Sequence, residues 1–352
     1  MIAVVFIVLA SVSVVYILTR DDGTEGNTVT DARGRQVAIP EEIDSILCLQ
    51  ACSLQLVSFF DAVDKVKFLD GSSNGENLSD ANRTHSFILK DRLDGLPRVD
   101  WNDAEQIIIA DPDVIVSSNV SKTELDNLQK TTGIPVFAIN ADVEFDSDIM
   151  YSQIIALGQL FGEQERAQEL VDGIKTMISN ISDNSEEIEG LTAYACGMMF
   201  YGAGTFLKTS GNYLPFIYAN VNNAYPPAFG GQPYTTDLET VISKNPGMIF
   251  IDGSNLASVK AYITTNMGLL SGVDAISEGK VYKTMIYKNW GTNWVNQLIN
   301  VYFVADVVHP GEFGDFNENA NAIIQLFYPG TSVTYAMLAS AQSGGGCGTV
   351  TF

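Results

Sequence analysis

Two stretches of the chain share one pattern, and that pattern restricts the fold more than any other feature. EQIIIADPDVIV occupies residues 105–116, and ETVISKNPGMIFI begins 134 positions after it, at Glu239. In each, a Glu opens an apolar stretch, a Pro stands seven residues after the Glu, and a β-branched run follows. These read as a helix, a break and a buried strand. A unit of this kind belongs to a parallel sheet covered by helices. Its recurrence predicts two lobes of similar construction.

The flanking sequence agrees. Residues 45–49, 65–69, 114–117 and 135–139 read as strands, alternating with helices at 54–62, 105–110 and 125–131. The alternation resumes with strands at 191–199, 248–252 and 280–284 and helices at 236–243, 260–266 and 293–308. Between the two series, Ile154, Leu157, Phe161, Ala167, Leu170, Ile174, Met177 and Ile181 recur at three- to four-residue steps, apart from a six-residue gap around Gly162. That is the apolar stripe of an amphipathic helix. As one rod it would be roughly 50 Å long at about 1.5 Å per residue, with Gly158 and Gly162 as bending points. The expected organisation is an N-terminal lobe over 28–145, a connecting helix over 146–185 and a C-terminal lobe over 190–352. The fold class is α/β: two Rossmann-like lobes with parallel sheets, joined by a long backbone helix.

Residues 1–18, MIAVVFIVLASVSVVYIL, carry no charge and match the length needed to cross a bilayer as one helix. Residues 1–20 are expected to be a membrane anchor, with 21–27 as a spacer. A secretory signal and a filament-core helix like that of type IV pilins are the other two readings. A signal normally opens with Lys or Arg and closes on a small-residue cleavage site, and neither is clear here. All three readings place the rest of the chain outside the cytoplasm. N-glycosylation triplets at Asn77, Asn82, Asn119 and Asn180 agree with that location.

Charge and motifs narrow the function. The 42 acidic residues against 19 basic ones give a net charge of −23, with no basic face for a nucleic acid. No P-loop or G-x-G-x-x-G is present, and the G-x-S-x-G spacing at Gly71–Gly75 falls inside the turn-rich stretch GSSNGENLSDANR, so no enzyme class is indicated. The four cysteines, Cys48, Cys52, Cys196 and Cys347, form no disulfide framework for a chain of this length. The two histidines, His85 and His309, have no metal-ligand spacing with acidic residues.

Five segments in order resemble one family. TVTDARGRQVAIP resembles an opening β-hairpin, WNDAEQIIIADPDVIVSS an "N-x-E-x-I, then P-D-hydrophobic" segment, and ALGQLFGEQERAQEL the start of a connecting helix. VVHPGEFGDF and FYPGTSVTYAML…GGGCG resemble the C-terminal part. The family is that of the substrate-binding proteins of ABC importers for ferric siderophores, haem and cobalamin. The resemblance covers residues 28–352 and implies the class III periplasmic-binding-protein fold. It also implies an ABC permease and its ATPase as partners, and chelated iron, haem or a corrinoid as ligand. In the family a Glu on each lobe docks onto permease arginines, and the matching residues are Glu105 and Glu239. A carboxylate accepts an Arg fork well, and a Glu in a first helical turn is also favoured by the helix dipole. The chain departs from the family at Gln55, where many members carry Glu, and at Phe60-Asp61, where Leu-Gly is usual.

A ligand of such a protein lies between the lobes, on loops after the strands. On the first lobe these loops include 50–53, 70–74 and Ser117, Ser118 and Asn119. On the second, Tyr201, Phe206, Tyr213, Tyr234, Trp290 and Trp294 are expected to supply aromatic walls, and Lys208 and Lys288 to meet a ligand carboxylate. About half of these aromatics are expected to be ordinary core, and about three of the eight residues to touch ligand. The rival to a chelate carrier is a surface or filament-forming protein on the same fold, with the N-terminal helix as its assembly core.

Overall fold

Each copy of the duplicated unit folds as a seven-residue helix, a tight reversal and an interior strand of a five-stranded sheet. The computed structural model describes residues 27–118, 120–199, 204–227 and 232–352. The apolar run 1–18 and the site candidates Asn119 and Tyr201 lie outside those residues. Among the described residues, no helix is long and apolar enough to cross a membrane.

An antiparallel hairpin, β1 (Thr28–Thr30) and β2 (Gln36–Ala38), opens the structure. The first sheet contains β3 (Ile46–Leu49), β4 (Val66–Asp70), β5 (Arg98–Val99), β6 (Val114–Ser118) and β7 (Val136–Ile139) in the order β5-β4-β3-β6-β7, all parallel. The second lobe adds β8 (Thr192–Cys196), β9 (Lys208–Thr209), β10 (Asn222–Asn223), β11 (Tyr234–Thr235), β12 (Met248–Asp252), β13 (Val281–Thr284) and β14 (Gly348–Thr349). Its sheet runs β10-β8-β12-β13-β14, with β14 antiparallel, while β9 and β11 form a separate ribbon. Four strands of each sheet therefore share one order, with the first strand second from one end and the chain crossing to its other side for the third. The strand order reverses between β3 and β6 in one lobe and between β8 and β12 in the other. Ligand crevices form at such switch points, beyond the carboxyl ends of the strands.

The repeat extends further than its Glu and Pro. The helices Ala104–Ala110 and Leu238–Lys244 are capped by Asp103 and Asp237, whose side chains accept from the main-chain N–H groups of Gln106 and Thr240. They end on Asp111 and Asn245, both left-handed at φ 47° and 44°, each followed by Pro112 or Pro246. Asp and Asn tolerate this conformation better than other non-glycine residues. Ile107 and Val241 fill the same buried position against their sheets.

The connecting segment differs from expectation. It is two helices, Asp148–Phe161 and Gln164–Ser182, and they fold back on each other. Gly162 adopts φ 73° and ends the first helix. A Cβ on Gly158 would stand 2.5 Å from the Cβ of Ala167, so glycine allows the two helices to approach. Lys175 lies over the Tyr151 ring at 4.8 Å, a contact between the two arms of the hairpin. The backbone helix joining the lobes is thus Gln164–Ser182, about 28 Å at 1.5 Å per residue. Arg166 on it donates to the carbonyls of Phe59 and Leu326, at 3.0 and 2.6 Å, and so ties both lobes to the strut.

Candidate functional site

The two crevices face each other across the segment that follows β13, and this segment is anchored to both lobes. Trp294 is fully buried, its indole Nε1 donating to the Val143 carbonyl at 2.8 Å and its ring 6.2 Å from Phe59. The Thr292 N–H donates to the Ala141 carbonyl at 2.9 Å. The amides of Asn289 and Asn293 donate to Asp80 Oδ2 and the Asn82 carbonyl, at 2.9 and 3.1 Å. Gly291, at φ 147°, passes so close to the first lobe that a Cβ would lie 2.3 Å from Cys52 Sγ. Gln55, the departure from the family pattern, is fully buried with its amide against the Thr292 carbonyl and the Trp294 N–H, at 3.0 and 3.3 Å.

One buried aspartate in each lobe pins two cleft loops. Asp70 accepts from the N–H groups of Gln50 and Ser72, both at 2.8 Å. Asp252 accepts from Ser254 N–H at 2.8 Å and Tyr287 N–H at 3.2 Å. Burial pushes the Asp252 carboxyl up to about 6, against the opposing pull of these hydrogen bonds. Nearby, Glu76 is buried among Arg83, His85 and Ser86, with contacts of 3.0, 3.0 and 2.8 Å. Burial opposes its charge, but His85 and Arg83 hold the carboxyl well below the usual range. His309 contacts the Ala219 carbonyl at 3.0 Å. No group of three or more His, Cys, Asp or Glu among the described residues is arranged to hold a metal ion.

A cavity of about 240 Å³ opens between the lobes. Asp142, Val143, Glu144 and Ser147 line it from the loop after β7, and Met198, Met199, Ser210, Asn212, Tyr287 and Lys288 from the second lobe. Two larger hollows lie elsewhere, of about 310 Å³ beside Phe59 and Tyr328 and about 760 Å³ along the helical hairpin. Neither includes a strand-end loop of a switch point, so position favours the smaller one.

The expected site residues fall into three groups. Lys288 lines the cavity, its Nζ 3.5 Å from Glu144 Oε1, and Trp290 is 61% exposed at the tip of a turn with φ 58°. Tyr234 and Lys208 sit on the β9/β11 ribbon, where the Tyr234 hydroxyl donates to the Pro226 carbonyl at 2.9 Å. The third group is structural. Phe206 is fully buried between Tyr194 and Tyr262, and Trp294 is the inter-lobe peg already described, so neither forms a cleft wall. Tyr213 is buried behind Tyr287, its hydroxyl 3.4 Å from Thr284 Oγ1. Ser117 and Ser118 are buried at the end of β6, and Ser118 Oγ donates to the Ala51 carbonyl across the switch point. The loop after β7, with Asp142 and Glu144, was missed in the sequence. Its signal was the acidic run ADVEFDSD after a strand.

Glu105 and Glu239 are both exposed in the first turn of their helices. Each helix reverses through three residues into its strand, so its first turn lies at the cleft end of the sheet.

A family model described as periplasmic binding protein matches residues 46–285, from the first strand of one sheet through the last parallel strand of the other. The chain belongs to the periplasmic binding protein family. Members of this family are the extracytoplasmic solute-binding components of ABC transporters. The fold is shared with a periplasmic solute-binding protein from Veillonella parvula, at 17% identity and TM-score 0.66, over 87% of this chain and 94% of that one. It is also shared with the molybdate-binding MolA of Haemophilus influenzae, at 19% identity and TM-score 0.63, over 88% and 99%. The TroA-like binding protein FepB from Veillonella parvula matches at 20% identity and TM-score 0.63, over 87% and 97%. No curated protein sequence matches the chain.

Proposed function

We propose that this periplasmic binding protein captures a metal chelate and delivers it to an ABC importer. The chelate is a ferric siderophore, haem or a corrinoid. The cavity between the lobes, at the carboxyl ends of both sheets, carries this reading. Lys288 and Trp290 are the sequence-predicted residues best placed for contact, joined by Asp142, Glu144, Met198 and Tyr287. Phe206, Tyr213 and Trp294 support the site from behind. The protein chain acts as a carrier rather than an enzyme, and the metal arrives already wrapped in its organic ligand.

Glu105 and Glu239 serve as permease docking points, one on each lobe. Their exposure and matched position support this role, since each carboxylate is free to accept an Arg fork. Residues 1–20 hold the protein at the membrane surface. Native mass spectrometry and metal analysis of protein purified from chelate-rich medium test the reading. A non-covalent metal complex bound one to one is expected. Protein that carries no metal complex and binds none on addition would overturn it.

A further inference from the structure

The cleft cavity carries negative charge that its own lining does not neutralise. Asp142 and Glu144 both face it, and Lys288 is the one cation among its described lining residues. Lys288 is already engaged by Glu144 at 3.5 Å. The other oxygen of Glu144 accepts from Gln297 Nε2 at 2.6 Å and the Tyr287 hydroxyl at 3.3 Å. Asp142 is exposed and has no ion pair or side-chain hydrogen bond among the described residues.

Guanidinium groups on the neighbouring loops are turned into the scaffold. Arg98 donates to the carbonyls of Asp70 and Glu76, at 3.2 and 2.5 Å. Arg83 is paired with Glu76 at 3.0 Å, and Arg33 donates to the Val120 carbonyl at 3.1 Å. An anion entering this cavity would meet Asp142 and would have to draw Lys288 away from Glu144. A cation would gain from both carboxylates and would rest against Met198 and the Tyr287 ring, which suit a soft or positively charged group.

We infer that the cavity selects a cargo of net positive charge, seated by a cationic or hydrogen-bond-donating pole between Asp142 and Tyr287. At about 240 Å³ the cavity holds one pole of a chelate rather than a whole one. A ferric trihydroxamate bearing a protonated amine fits this description. A ferric tricatecholate, with its triple negative charge, and an oxyanion such as molybdate do not. The inference rests on the carrier reading above and specifies its ligand.

The test is calorimetric titration of the full-length protein in detergent with four probes: an amine-bearing ferric trihydroxamate, a ferric tricatecholate, molybdate and a metal-free quaternary amine. The trihydroxamate is expected to bind at least 100-fold more tightly than either anion. Asp142→Asn should weaken it 5- to 10-fold, with unchanged thermal unfolding. Lys288→Gln should tighten binding of the cationic probe 2- to 5-fold, because Glu144 loses its counter-charge, and weaker binding would count against the inference. Equal or tighter binding of the tricatecholate or molybdate would overturn the inference, as would an Asp142→Asn protein with unaltered affinity. If an anionic chelate wins, the charge assignment falls and the chelate-carrier reading stands. If only the metal-free amine binds, the carrier reading falls and the charge assignment stands. Binding by none of the four would overturn both.

Discussion

Trp290 and Trp294 stand four residues apart, and their substitution should separate binding from stability. Trp294 is fully buried, packs on Phe59 and donates to the Val143 carbonyl. Trp294→Ala leaves a cavity between the lobes and an unpaired carbonyl, a loss of about 3–5 kcal/mol for a buried Trp. In a chain of 352 residues that corresponds to a fall in melting temperature of about 4–7 °C. Trp290 is 61% exposed, so Trp290→Ala should shift stability by no more than about 0.5 kcal/mol. It should weaken chelate binding by about 1–3 kcal/mol if its ring covers the bound ligand. Circular dichroism melts and calorimetric titration on the same preparations provide both readings. A Trp290→Ala protein that melts several degrees lower and binds normally would refute the assignment. So would a Trp294→Ala protein of unchanged stability.

Three further predictions concern the frame around the site. Gly291→Ala should cost about 2–4 kcal/mol in denaturant unfolding, because φ 147° and a Cβ 2.3 Å from Cys52 Sγ both oppose a side chain; adding Cys52→Ala should recover part of the loss, and strict additivity would contradict the contact. Asp252 has a folded-state value of about 6, above the ordinary carboxyl range, so the folded protein binds its proton more tightly than the unfolded chain and stability falls as pH rises from about 4 through 6. That contribution, about 3 kcal/mol at most, should vanish from the pH dependence of unfolding in Asp252→Asn, and an unchanged pH slope would contradict the burial argument. A chain beginning at Thr28 should be soluble and melt cooperatively, since the opening hairpin starts there and the first sheet follows at Ile46; insolubility would show that residues 1–27 belong to the folded body.

The lobes were legible because the duplicated unit is encoded locally. The Glu, the Pro and the β-branched run recur with one spacing, and the caps Asp103 and Asp237 follow the same register. The helical hairpin was not legible. Its two helices turn apolar stripes toward one core, so the three- to four-residue period continues across Gly162 and conceals the reversal. The helix Thr84–Leu93 was missed for a different reason. Phe87, Ile88 and Leu89 are consecutive rather than striped, and its buried side is partly polar through Thr84, His85 and Ser86. The aromatic loops misled most, because a Trp that pegs two lobes together and a Trp at an exposed turn read alike. What distinguishes Trp294 from Trp290 is contact with Val143 and Phe59, residues far away in the sequence.

The most direct measurement is chelate uptake by membrane vesicles containing the cognate importer, supplied with chelate-loaded protein. The wild-type chain is expected to drive ATP-dependent uptake. A Glu105→Ala/Glu239→Ala protein should bind the chelate with the same affinity, melt at the same temperature, since exposed ion pairs contribute about 0–1 kcal/mol, and deliver little or none. Normal delivery by the doubly substituted protein would contradict the account, leaving both glutamates as helix-end charges without a docking role.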